Sequence, residues 1–107
     1  MTEERRKAVV PSEMRALLRL MADIEKRLED RDCDEIVEAL AFYRAQVKND
    51  FTAKVACREI RRMCTDTAWA NRLVTGMDYA DWLLLLKELK STAERALSQV
   101  EARVAGT

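Results

Sequence analysis

The chain contains no histidine. That removes both the commonest general base and the commonest metal ligand. It holds two glycines and one proline in 107 residues, so no glycine-rich loop can cradle a phosphate and few positions break a helix. Positive and negative charges balance at 19 each, which leaves no global field to steer the protein towards nucleic acid or anionic lipid. The longest apolar run, 82–86, is far too short to cross a bilayer. The opening MTEERRKAVVPSE has no apolar core of the kind a secretory leader carries.

Three cysteines are an odd number. Cys57 and Cys64 stand two helical turns apart and share a side, with Cys33 elsewhere. Zinc asks for four ligands at closer spacing, often with histidine, and a catalytic thiol asks for a base partner. Cys57 and Cys64 therefore read as small buried hydrophobes, and Cys33, in a connector, as an exposed and oxidisable thiol. Free thiols without a leader point to the cytoplasm. The acids Asp30, Asp32, Asp34 and Glu35 crowd one connector but lack the glycine and closing glutamate of a calcium loop. Helix capping accounts for them. No catalytic constellation, metal site, cofactor site or small-molecule pocket is expected, and the reading is not an enzyme.

What is present is 49% hydrophobic and 36% charged residues, patterned for helices joined by short turns. The expected architecture is all-α: a small bundle of four to five helices with a long C-terminal helix at about 78–104. Residues 1–10, charged and unpatterned, read as a mobile tail before a single helical domain at 11–107. Ser12 is the expected cap of a first helix running to about Asp30, with Met14, Leu17, Leu18, Met21, Ile24 and Leu28 inward. Asp32 or Asp34 caps a second helix whose stripe is Ile36, Leu40, Tyr43 and Val47. Asn49 and Asp50 stop it and start a third, at about 51–64, with Ala53, Ala56, Ile60, Met63 and Cys64 inward. Thr65 and Asp66 cap a short fourth helix, 67–75, with Trp69 and Leu73 inward, ended by Gly76. Asp78 caps the last helix, whose stripe is Trp82, Leu86, Leu89, Ala93, Ala96, Leu97, Val100 and Val104.

Some apolar residues do not fit these stripes. At about 100° per residue, Leu83 and Leu84 fall beside and behind the stripe of the last helix, and Phe42 lies nearly opposite Leu40. Such residues are either wrapped by other helices or docked against another chain. Phe42, Phe51, Trp82, Leu83 and Leu84 are accordingly the candidate partner-binding set, as apolar anchors with a charged rim. The expected function is a non-enzymatic protein-binding regulator, of antiactivator, adaptor or chaperone type. It would act as a homodimer and on another protein, without a membrane.

A rival reading rests on Lys54, Arg58, Arg61 and Arg62, which share one arc of the third helix and could each meet a phosphate. Residues 51–76 carry a net charge of +3 and residues 32–50 a net charge of −3, a balance that mutual pairing of the two helices explains equally well. The third and fourth helices hint at a helix-turn-helix, but the fourth has one basic residue where a groove-reading helix needs several.

Overall fold

Helix α5, Tyr79–Ala105, is the long axis of the fold. Its 27 residues reach about 40 Å at 1.5 Å per residue, in a molecule measuring 47 × 23 × 17 Å. The computed structural model describes residues 11–105. The tail expected at 1–10 and the last two residues of the domain expected at 11–107 lie outside the described residues. Before α5 come α1 (Ser12–Leu28), α2 (Asp34–Gln46), α3 (Asp50–Thr65) and the single turn α4 (Thr67–Ala70), with no strand among the described residues.

The inward face of α5 follows from its helical period: Trp82, Leu86, Leu89, Ala93, Ala96, Leu97 and Val100 are buried. Thr92 joins them because its hydroxyl donates to the Glu88 carbonyl 2.8 Å away, so no polar group is left bare. Val104 is exposed rather than inward, because the helix has by then passed the start of α3, where Arg103 pairs with Asp50 at 3.4 Å. That pair and the Arg58–Glu101 pair at 3.2 Å run α3 antiparallel to α5. At the start of α1, Glu13 reaches Arg95 at 3.3 Å. α5 packs on α1 and α3, and α2 closes the ring between those two. The result is a four-helix bundle in which α2 and α5 are diagonal. Its single core joins Met14, Leu17, Met21, Ile24 and Leu28 of α1 to Ile36 and Leu40 of α2, to Ala53, Cys57 and Ile60 of α3, and to the α5 stripe.

The helix ends depart from local expectation in instructive ways. Pro11, not Ser12, occupies the cap position of α1 and makes no side-chain capping bond. A residue from the far end of the chain takes over: Gln99 Oε1 accepts from the Glu13 backbone N–H at 2.8 Å. α1 stops at Leu28 rather than near Asp30, because Asp30 and Asp32 adopt positive φ of 62° and 58°, a conformation aspartate tolerates better than most side chains. α2 has no side-chain cap, with Cys33 before it and Asp34 as its first residue. The start of α3 is as expected. Asn49 and Thr52 form a reciprocal capping box, Thr52 N–H to Asn49 Oδ1 at 2.9 Å and Asn49 N–H to Thr52 Oγ1 at 3.0 Å. Asn49→Ala is expected to destabilise the fold by about 1 kcal/mol, read as a lowered urea midpoint at unchanged slope.

The fourth helix is one turn, not the stretch 67–75. Beyond Ala70 the chain is irregular because its side chains are drawn to the α1–α2 connector. The Arg72 guanidinium donates to the Asp32 carbonyl and pairs with Glu35 at 2.7 Å. Arg31 donates to the Thr75 carbonyl at 3.0 Å and packs where any side chain on Gly76 would stand. This replaces the helical phase, so Val74 turns inward and Leu73, expected inside, is 77% exposed. With α4 only four residues long, there is no recognition helix for a helix-turn-helix.

Candidate protein-binding surface

Four of the five expected anchor residues reach the surface. Phe42 is 56% exposed, Phe51 72% and Leu84 63%, and Leu83 is also exposed. Trp82 is the exception and is corrected: it is 1% exposed. Its indole N–H donates to the Trp69 carbonyl at 2.8 Å, which seats it between α5 and α4 as a core residue. The helical stripe already placed it inside, and its membership of the apolar run was the weaker signal.

The remaining anchors form two surfaces rather than one. Phe42, Tyr43 and Gln46 of α2 line a shallow depression of about 230 Å³ with Phe51, Thr52, Val55 and Ala56 of α3. The Phe42 ring meets the Tyr43 ring edge-on, with centroids 5.0 Å apart, a favourable arrangement that fixes it at the rim. Leu83 and Leu84 lie elsewhere, in the first turns of α5. Phe51 follows Asp50, the first residue of α3, which pairs with Arg103 of α5. Leu84 is nineteen residues before Arg103 on α5, roughly 28 Å along the axis, and on the helix diagonal to α2. No single small partner surface can span both.

Two residues of these surfaces escaped the sequence reading. Val55 is exposed between Phe51 and the arginines of α3; as an apolar residue off the inward stripe it carried the same signal as Phe42. Tyr79, one turn before Leu83, is exposed in its ring while its hydroxyl donates to the Ala70 carbonyl at 2.6 Å.

The basic face is interleaved with acids. Arg58 pairs with Glu101 of α5 at 3.2 Å, and Arg62 pairs with Glu59 at 2.8 Å, a hydrogen bond that raises the Arg62 pKa above its ordinary value. Lys54 and Arg61 form no ion pair with the described residues. The groove that holds Arg58, Arg61, Arg62 and Lys90 also holds Glu59 and Glu94, so its field is weaker than the four cations alone would give.

All three thiols are buried and free. That bears out the expectation for Cys57 and Cys64 and corrects the one for Cys33, which faces inward because the left-handed turns at Asp30 and Asp32 fold the connector under α1. Burial raises the Cys33 pKa, pushes Cys57 up to about 11 and Cys64 up to about 12. In the unfolded chain a thiol loses its proton near 9.0, well before the folded Cys57 and Cys64 do. Their contribution to stability is therefore complete below about pH 9 and is lost as pH rises through the folded values. Alkaline melting of the wild type beside Cys57→Ala/Cys64→Ala checks this: the variant's loss of stability above pH 9 is expected to be the shallower.

Comparison of the chain with protein-family models, with curated proteins and with solved structures returns no match. No described helix is long and apolar enough to cross a membrane.

Proposed function

We propose that this protein is a non-enzymatic, cytoplasmic protein-binding regulator, of antiactivator, adaptor or chaperone type. It works as a homodimer that occupies a surface of another protein. One observation carries the reading: Phe42 and Phe51, two large aromatic side chains, stand more than half exposed around one depression while the core is built from other residues. Exposed aromatics in a cluster are the residues that carry most of the energy of protein interfaces. Scattered single leucines would carry no such meaning. The second strip, Tyr79, Leu83 and Leu84, gives the molecule a further apolar contact on its other side. Three buried free thiols accord with a reducing compartment.

Sizing by light scattering tests the reading, with wild type beside Phe42→Glu and Leu84→Glu. The wild-type mass is expected to rise with concentration above 12.3 kDa. At least one glutamate variant is expected to lose that rise while keeping wild-type helicity. A wild type that stays at the monomer mass across the accessible range overturns the homodimer. DNA affinity that falls steeply with salt and is lost on reversing Arg58 and Arg62 would favour a polyanion binder instead.

A further inference from the structure

We infer that the α2–α3 depression takes a second copy of this chain, related by a two-fold axis parallel to the helices, so that α2 of each copy lies over α3 of the other. This rests on the homodimeric reading above and assigns it a surface and a geometry.

The argument is one of charge and symmetry. The apolar centre of this face, Phe42, Phe51 and Val55, is flanked by two rims of opposite sign. On the α2 side the rim is acidic, with Asp34 and Glu38 exposed and Glu35 paired with Arg72. Glu38 lies one turn before Phe42 and forms no ion pair with a described residue. On the α3 side Arg58 and Arg62 are exposed below Val55, with Glu59 half-buried between them. Arg58 pairs with Glu101 and Arg62 with Glu59, while Lys54 and Arg61 of the same helix form no ion pair with a described residue, which leaves α3 the basic side.

A closed dimer through one face must be self-complementary under a two-fold operation. With the axis across the helices, α2 would meet α2 and acid would face acid. With the axis along them, the rims exchange: Glu38 of each copy comes opposite the α3 arginines of the other, and the Phe42 and Phe51 rings stack into a shared centre. Level favours the same pairing. Glu38 lies about 6 Å below Phe42 along α2, and Arg58 and Arg62 lie about 4–11 Å below Val55 along α3, within reach of a long side chain. Size also fits. Phe42 and Phe51, more than half exposed, together offer roughly 200–300 Å² of ring surface, about a third of the ~800 Å² per partner that a standard interface buries. The α5 strip has no such division, since Lys87, Glu88 and Lys90 mix both signs around Leu83 and Leu84 on one helix.

Charge exchange across the axis gives the test. Glu38→Lys and Arg62→Glu are prepared separately and studied alone and mixed in equal amounts, by light scattering and native mass spectrometry. Each alone is expected to dimerise at least ~10-fold more weakly than wild type, because like charges then face each other twice. The mixture is expected to recover a dimer with one copy of each, since both contacts are again opposite in sign. If both single variants dissociate and mixing restores nothing, the arrangement is wrong. If the wild type dimerises, neither charge variant is affected and Leu84→Glu dissociates it, self-association belongs to the α5 strip; the inference falls and the homodimer stands. A monomeric wild type removes both.

Discussion

Trp82→Ala is expected to destabilise the protein by about 3–5 kcal/mol, the usual range for emptying a buried aromatic site. The ring is enclosed between the first turn of α5 and the α4 turn, and its N–H donates to the Trp69 carbonyl. Alanine leaves a cavity and removes one of that carbonyl's donors, another being the Arg72 backbone N–H at 3.1 Å, so the transfer and hydrogen-bond losses act together. A domain of this size is commonly stable by only about 5–15 kcal/mol, so the variant should melt far below wild type or fail to fold. Leu84→Ala, two residues along the same helix, should change stability by no more than about 0.5 kcal/mol, as surface substitutions do. Urea unfolding followed by circular dichroism reads both. Equal effects at the two positions would contradict the placement of Trp82 in the core and Leu84 in solvent.

The contrast within 82–86 shows how far periodicity reaches. Trp82 and Leu86 are buried, Leu83 and Leu84 exposed and Leu85 half-buried, as the helical wheel orders them. The same reasoning placed the buried faces of α1 and α3 and marked Phe42 as an outlier. It failed where the deciding partner is distant in the chain. The start of α1 is capped by Gln99, which no inspection of 11–15 could suggest. The stretch 71–78 leaves the helix because Arg31 and Arg72 bind it to the α1–α2 connector, a contact across some forty residues that moved Leu73 outward and Val74 inward. Cys33 was misplaced for a related reason: the left-handed turns at Asp30 and Asp32 decide its direction, and residue type alone only permits them. The candidate surface was legible in its members but not in its division. Phe42, Phe51, Leu83 and Leu84 each announce themselves as surplus. That they lie on opposite sides of the bundle follows only from the packing order of the helices.

That division makes the double variant Phe42→Glu/Phe51→Glu the sharpest separation of folding from binding. Both rings lie outside the core cluster, and the contact of Phe42 with Tyr43 is worth about 0.5–1.5 kcal/mol. The melting curve should therefore shift only slightly. At the interface proposed above the same change removes two aromatic anchors and places carboxylates in a desolvated centre. Anchors of this kind contribute about 2–4 kcal/mol each. Even allowing for non-additivity, the dimer dissociation constant should rise by more than ~100-fold, since about 1.4 kcal/mol is a factor of ten. Sedimentation equilibrium on the double variant, beside a thermal melt of the same sample, measures both quantities. A large drop in melting temperature would show that the rings belong to the fold. Unchanged self-association at an unchanged melt would move the interface away from the α2–α3 depression, with the leucines of α5 as the remaining apolar face that could hold it.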